Sequence, residues 1–167
     1  MNALVAELQK EFASQIEETG ELGGKPFVRL RRETLVSFCQ AAKAQGFDYL
    51  ACLTGVDRPQ ERSLEAIYNL YSYEHLQHLI VKTRCPYDDP VLDSVSSIWK
   101  SALFLERETF DLVGIRFRNH PDLRRILLPE PWQGHPLRKD YPLEREQFVS
   151  KDAQGRDVVG FDSTEGW

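Results

Sequence analysis

The chain has 167 residues, a length that suits one domain, with or without an appendage. Hydrophobic residues make up 41% and charged residues 28%, as in ordinary soluble globular proteins, and the net charge of −5 disfavours sequence-independent binding to nucleic acid. No apolar run reaches the ~18–20 residues of a membrane helix. Residues 1–12 contain Glu7 and Glu11 but no leading basic cluster, so they are not expected to be a secretory signal. We therefore expect a protein on the cytoplasmic side that reaches a membrane only through partners.

The first third of the chain predicts a helix, a strand, a second helix and a second strand, in that order. An apolar residue at every fourth position predicts the first helix over residues 4–18, and the glycines that follow end it. Residues 26–31 alternate between apolar and basic, which indicates a strand with one solvent-exposed face. Residues 35–46 predict an amphipathic helix that ends at a glycine. Residues 48–54 are apolar on both faces and predict an interior strand.

The middle of the chain predicts a β-hairpin and a third helix. Residues 64–71 and 78–84 alternate between apolar and polar, as two paired strands do. A helix is expected over residues 95–103, with Asp93 or Ser94 as its N-cap. Strands that are grouped, rather than strictly alternating with helices, indicate an α+β fold. We expect a mostly antiparallel sheet with helices packed on one face, followed by an extended proline-rich C-terminal arm.

Residues 106–143 differ from the rest of the chain. Five of the nine prolines lie between Pro121 and Pro142, and proline fixes φ and donates no backbone N–H, so this segment is neither a central strand nor a long helix. It nevertheless keeps apolar side chains, among them Ile126, Leu127, Leu128, Trp132, Leu137 and Tyr141. An apolar, charge-rich segment needs a surface to lie on, either its own domain or another protein. We therefore divide the chain into an α+β body (1–105), a partner-docking arm (106–143) and a polar tail that frays (144–167).

The cysteines and two of the histidines give no metal-binding pattern. Cys39, Cys52 and Cys85 form no CxxC motif, and each is expected to be a buried thiol outside any disulfide. His75 and His78 lie at the hairpin turn without an acidic neighbour placed as a third ligand. We therefore expect both histidines to be solvated turn residues.

His120 and His135 each precede a proline in a loop, which favours extended backbone. A histidine held in this way can donate a hydrogen bond to a backbone carbonyl across an interface. This role is favoured over catalysis because no serine or cysteine nucleophile with partners is evident nearby. A stand-alone metal-dependent enzyme that uses both histidines is kept as an alternative.

The charged residues of the arm predict ion pairs rather than a catalytic or RNA-binding site. Glu106 and Glu108 are two residues apart and point away from each other on a helix, which disfavours paired acid–base catalysis. With Arg107 and Asp111 they are expected to form an ion-pair set at a joint. Basic residues interleaved with acidic ones favour a salt-bridged docking surface over an RNA-binding patch: Arg124, Arg125, Arg138 and Lys139. The motifs GxGxxG, GxxxxGK[ST], HExxH and GxSxG are absent.

The run ERETFDLVGIRFRNHPDLRRILLPEPWQGHPLRKDYPL resembles the signature of the thirty-kilodalton subunit, also called the C subunit, of NADH:quinone oxidoreductase, respiratory complex I. Agreement over roughly 40 residues is far more specific than a short motif. Val113 departs from the usual aromatic, and Asn119 departs from the usual glycine but tolerates left-handed backbone better than most residues. The residues taken as family signature and partner interface are Glu106, Arg107, Glu108, Asp111, Gly114, His120, Pro121, Arg124, Trp132, Gly134, His135, Pro136, Leu137, Arg138, Lys139, Asp140, Tyr141 and Pro142.

The resemblance implies a structural and assembly subunit in the peripheral arm of a proton-translocating complex, on the cytoplasmic face of the plasma membrane. Its partners would be the large quinone-site subunit and the Fe–S subunits. The complex uses FMN, Fe–S clusters and quinone, whereas the resemblance implies that this chain binds none of them and has no catalytic residues. The nearest alternative is the equivalent subunit of a related membrane-bound hydrogenase complex.

Overall fold

A computed structural model describes residues 3–142 and 146–162 of the chain. Three helices occur in this part of it: α1 (Ala3–Glu11), α2 (Leu35–Ala44) and α3 (Ala102–Val113). The main sheet contains β1 (Ile16–Leu22), β2 (Lys25–Leu30), β3 (Tyr49–Arg58), β4 (Ser63–Ser72) and β5 (Gln77–Pro86). The short strands β6 (Val91–Asp93) and β7 (Arg116–Arg118) pair with each other, as do β8 (Glu146–Lys151) and β9 (Asp157–Asp162).

The main sheet has the strand order β1-β2-β5-β4-β3, and every pair is antiparallel except β2 with β5. Alternate side chains of β4 enter a core to which the helices also contribute, from Leu64 through Tyr68 to Leu70. The α+β fold with a mostly antiparallel sheet is therefore confirmed. No helix of the described residues has the length and the hydropathy that crossing a membrane requires.

α3 lies against β3, and a glycine permits the close approach. A Cβ at Gly55 would stand 3.0 Å from methyl carbons of both Thr109 and Val113. Since real Cβ atoms rarely come this close, a larger residue would push the helix away. This contact sets the position of the helix that carries Glu106 and Asp111.

The first helix is shorter than predicted, because it ends at Glu11 and residues 16–22 form β1. The glycines interpreted as a helix stop form the two-residue turn between β1 and β2 instead. Gly23 and Gly24 have φ of +56° and +76°, and a turn with both central residues at positive φ matches the twist of a hairpin. The prediction was too long because apolar residues continue at every fourth position beyond Glu11, where the helix ends.

Two further predictions about regular structure are wrong. β3 is an edge strand rather than an interior one, and Cys52 on it is an exposed free thiol, although Cys39 and Cys85 are buried as expected. The third helix begins at Ala102, not near residue 95. Neither predicted N-cap residue caps it, because Asp93 pairs with Arg118 and Ser94 donates to a carboxylate within α3.

The proline-rich arm is not confirmed as an extended element. Residues 119–142, which we call the proline-rich segment, contain no helix or strand. They turn repeatedly, with Trp132 N–H donating to Pro129 O and Tyr141 N–H donating to Arg138 O. The division of the chain at residues 105 and 143 stays a prediction, and α3 runs across the first of those boundaries. Part of the tail that was expected to fray forms the β8–β9 hairpin.

Candidate partner interface

Asp111, in the last turn of α3, holds the start of the proline-rich segment. Its Oδ2 accepts hydrogen bonds from three successive backbone N–H groups, those of Ile126 (3.0 Å), Leu127 (2.8 Å) and Leu128 (2.9 Å). Its Oδ1 accepts a 2.7 Å hydrogen bond from Arg125. Burial would raise the pKa of this carboxyl, but the amides and the guanidinium outweigh it, and the pKa lies below its ordinary value. The buried side chain is therefore an anchor for the segment, charged at neutral pH.

Two arginines satisfy backbone carbonyls of the same segment. Arg125 Nη2 donates to Trp132 O (2.9 Å) and to Gly134 O (3.0 Å). Arg107, on α3, donates to the carbonyls of Arg124 (3.1 Å) and Arg125 (2.8 Å). Donors that are satisfied by backbone make few demands on the side chains of the segment. The two arginines therefore fix the backbone of the segment through its carbonyl groups and do not depend on which side chains the segment carries.

The two loop histidines also bind backbone carbonyls, but within this chain. His135 Nδ1–H donates to Asp111 O (2.9 Å), and His120 Nε2–H donates to Leu103 O (3.1 Å), so each ring docks on a different turn of α3. The His135 ring covers Gly114, which has φ of +89° and where a Cβ would lie 2.6 Å from the imidazole. Burial lowers the pKa of His135. The predicted carbonyl bonds are therefore present, and the interface they cross is the one between the segment and its own body.

Asp57, at the end of β3, anchors the far end of the segment. Its Oδ2 accepts a 2.7 Å hydrogen bond from Lys139 N–H, and its Oδ1 accepts one from the Tyr87 hydroxyl. The Arg138 guanidinium lies 4.7 Å from the centre of the Tyr87 ring. Nothing in the sequence singled out Asp57 for this role, because its partners come from distant parts of the chain.

Glu106 does not join the ion-pair set that was predicted for it. It is fully buried, and it accepts hydrogen bonds from Ser94 Oγ (2.6 Å) and Val95 N–H (2.7 Å). No arginine or lysine pairs with it among the described residues, and His120 Nε2 is 4.0 Å from its Oε2. Burial raises its pKa to about 7, although the two hydrogen bonds oppose the shift. Its role is to fix the turn before α3.

The signature residues divide by exposure into three groups. The buried members are Glu106, Asp111 and Gly114. The half-buried members are Arg107, His120, Trp132, His135, Pro136, Arg138 and Tyr141. The exposed members are Glu108, Pro121, Arg124, Gly134, Leu137, Lys139, Asp140 and Pro142. Only the last two groups present atoms that a partner can touch, so the partner interface stays a prediction for them.

Apolar side chains of the proline-rich segment point outward from this anchored backbone. Leu127 is 61% exposed and Leu137 is 58% exposed, and on α3 Phe104 is 62% exposed. Within residues 3–142 and 146–162, no group of three or more His, Cys, Asp or Glu side chains is placed to hold a metal ion. Exposed apolar side chains on a fixed backbone are a common feature of protein-binding surfaces.

Residues 28–147 match the model of the family described as respiratory-chain NADH dehydrogenase, 30 kDa subunit. The chain belongs to this family. The match covers most of the main sheet, α3 and the whole proline-rich segment, so the resemblance seen in residues 106–143 is confirmed. The chain is accordingly a subunit of the complex I type.

Individual relatives agree with this assignment. The chain is 44% identical over 147 residues to the C subunit of NADH-quinone oxidoreductase from Geobacter sulfurreducens, an alignment that covers 86% of this chain and 90% of that one. It is 40% identical over 144 residues to the C subunit of F(420)H(2) dehydrogenase from Methanosarcina mazei, covering 83% and 89%. Among solved structures it resembles a trypsin-resistant fragment of Nqo5, with 34% identity and a TM-score of 0.64, covering 72% of this chain and 98% of the fragment.

We predict that Asp111→Asn lowers the free energy of unfolding by about 3 kcal/mol, because the amide has a single acceptor oxygen and leaves either the three backbone N–H groups or the Arg125 guanidinium without an acceptor. Urea unfolding of the purified chain measures this. The control is Asp122→Asn, since Asp122 pairs with Arg124 on the exposed surface and should cost less than about 1 kcal/mol. Equal effects of the two substitutions would contradict the anchoring role.

We predict that Glu106→Gln changes how stability depends on pH. The folded pKa of about 7 lies above the ordinary value of about 4.3, so the wild type is most stable below the lower value and loses stability as pH rises to the higher one. Between pH 5 and pH 8 the free energy of unfolding of the wild type should fall by about 2–3 kcal/mol relative to the variant, which carries no titrating group at position 106. Unfolding curves across this range, with the exposed Glu108→Gln as control, measure the difference, and parallel curves for wild type and Glu106→Gln would refute it.

Proposed function

We propose that the chain is a structural and assembly subunit in the peripheral arm of a proton-translocating NADH:quinone oxidoreductase. Its proline-rich segment docks on the large quinone-site subunit and on Fe–S subunits, at the cytoplasmic face of the membrane, and it reaches the membrane only through them. One observation carries this proposal: the backbone of the segment is anchored inward by Asp111, while Leu127 and Leu137 point outward.

The inward anchoring prepares the segment for binding. Hydrogen bonds fix residues 124–134 before a partner binds. The Asp111 carboxylate accepts three of them from backbone amides, and Arg107 and Arg125 donate four to backbone carbonyls. Prolines reduce the freedom of the unbound chain further. Ordering a flexible loop on binding costs conformational entropy, which lowers the affinity. A segment that is already ordered in the free chain avoids most of this cost.

The outward side chains have the chemistry of a protein-binding surface. Leu127 and Leu137 supply apolar area, and the side chain of Arg124 is 62% exposed. Arginine with apolar neighbours is enriched at the centres of interfaces, where a few such residues supply most of the affinity. Arg124 is paired with Asp122 in the free chain, and a carboxylate of a partner can take the place of that surface pair.

We further propose that this chain binds no FMN, Fe–S cluster or quinone and that other subunits hold them. Two of the three thiols support this proposal, because burial raises the pKa of Cys39 far above its ordinary value and the pKa of Cys85 to about 11. Iron–sulfur ligands are thiolates, and neutral buried thiols are poor ligands and weak nucleophiles. Cys52, the exposed thiol, lies on a strand apart from both.

A second candidate is the same assembly role in a related membrane complex that takes electrons from a donor other than NADH. The 40% identity to the C subunit of F(420)H(2) dehydrogenase favours it. The docking chemistry is the same in both cases, because the donor site lies on other subunits in either complex. Oxidation of NADH or of another donor by the purified complex separates the two.

The test substitutes the exposed leucines without touching the anchors. We expect the double variant Leu127→Glu, Leu137→Glu, affinity-tagged and expressed in its native cell, to recover at least 10-fold less of the other subunits from solubilised membranes. Two charges buried against a partner remove most of the affinity of a small interface. Quantitative mass spectrometry of the purified material measures this recovery.

The matched control is Leu22→Glu, at an exposed leucine of β1 outside the segment, and it should leave recovery within twofold of the wild type. Thermal unfolding of the isolated double variant should match that of the wild type, because both leucines are exposed in the free chain. Recovery of the other subunits at the wild-type level would refute the docking role.

A further inference from the structure

The β8–β9 hairpin follows the proline-rich segment and has a well-defined turn. Asp152 N–H donates to Arg156 O (2.9 Å) and Gly155 N–H donates to Asp152 O (2.9 Å), with Gly155 at φ of +77°. A three-residue loop of this kind, with its last residue left-handed, is a common connection of two antiparallel strands. It fixes the register, in which Phe148 stands opposite Gly160 and Val149 opposite Val159.

The hairpin has only two strands, and its apolar side chains lie outside the core. Phe148 is 49% exposed, Val149 is 40% exposed and Val158 is 38% exposed. No third strand joins β8 or β9 among the described residues. A lone two-stranded hairpin is marginally stable in water, and a third strand or a packed face is what makes such a unit persist. The hairpin is therefore incomplete as a folding unit.

Both outer edges of the hairpin carry backbone groups that have no strand partner in the part of the chain that the structure describes. Because Asp152 and Arg156 are a hydrogen-bonded pair, alternation along an antiparallel ladder makes Ser150 with Val158, and Phe148 with Gly160, hydrogen-bonded pairs too. The N–H and C=O groups of residues 149 and 159 then point away from the partner strand. Neither strand contains a proline or a bulge, two of the devices that protect an edge.

The hairpin is continuous with the docking surface. The Gln147 side chain accepts a hydrogen bond from Gln133 N–H (3.0 Å), and its amide donates to Gln133 O (2.8 Å) and to the Tyr141 hydroxyl. A subunit bound to the proline-rich segment is thereby held beside the free edges. Linkage of this kind turns strand pairing into a local event with a high effective concentration.

We propose that one free edge of the β8–β9 hairpin pairs with an extended strand of the subunit that docks on the proline-rich segment, which completes a three-stranded sheet. Main-chain hydrogen bonds give such strand addition its affinity, and pockets for alternate side chains give it specificity. The partner strand carries apolar residues at alternate positions, because Phe148 and Val158 on one face and Val149 on the other are exposed. This inference rests on the proposed function, since the docked subunit supplies the strand.

Hydrogen exchange with mass spectrometry tests the proposal directly. We compare peptides that span residues 146–151 and 157–162 in the isolated chain and in the purified complex. One of the two peptides should exchange at least 10-fold more slowly in the complex, because its outward amides become hydrogen-bonded there. Equal exchange of both peptides in the two samples would overturn the proposal.

Proline substitutions identify the edge. Val149→Pro and Val159→Pro each remove an outward N–H and keep the hydrogen bonds inside the hairpin, whereas Val149→Thr and Val159→Thr keep the N–H and serve as matched controls. One of the proline variants should lose the protection in the complex, and both threonine variants should retain it. Protection in both proline variants at the wild-type level would overturn the proposal.

Two outcomes separate this inference from the proposed function. If the leucine double variant fails to assemble but the hairpin amides exchange equally fast in the wild-type complex, the segment docks and the added strand does not exist. If the isolated chain protects the same amides in a concentration-dependent way, a second copy supplies the strand, and the proposal that another subunit supplies it is refuted.

Discussion

The Asp111 carboxylate determines how the proline-rich segment is held on this protein. It lies in the last turn of α3, where the helix dipole disfavours a negative charge. Three backbone amides from residues 126–128 and the Arg125 guanidinium reverse that disadvantage. Successive backbone amides that converge on one anion form a concave anion-binding site. Without this carboxylate the three amides would lose their acceptor, and residues 126–128 would lose this attachment to α3.

Two carboxyl groups on the same helix show how partners decide the charge state. Glu106 and Asp111 are both fully buried, so both lose hydration of the charged form. The pKa of Asp111 is lowered because a cation and three amides replace the water. The pKa of Glu106 rises to about 7 because a hydroxyl and a single amide do not replace it. Burial alone would raise the pKa of both groups, and only at Asp111 do the donors reverse its direction.

Patterns that depend on neighbouring residues were predicted well from the sequence. The alternation in residues 64–71 and 78–84 gave β4 and β5, and the apolar face of residues 35–46 gave α2. Errors arose where a local pattern had two explanations. Leu22-Gly-Gly-Lys25 is both a helix stop and a two-residue hairpin turn, and only pairing with β2 decides between them.

The candidate site was predictable as a segment but not as a set of contacts. The prolines located it, and the histidine–carbonyl bonds were expected in kind. The roles of Asp57 and Arg125 were not, because each depends on partners that the chain brings together from far apart or from a loop without periodicity. A charge pattern shows that ion pairs will form, but which carboxylate takes which cation is decided by the fold.

The buried members of the signature attach the segment to its own body. Asp111, Gly114 and His135 meet one another at the end of α3, and none of them can be changed without disturbing that joint. Leu127 lies between the anchors, and its exposed side chain makes no demand on them. A backbone that is fixed from within can carry different outward side chains without losing its path. The choice of partner should accordingly reside in the exposed residues of the segment, and the ability to present them should reside in the buried ones.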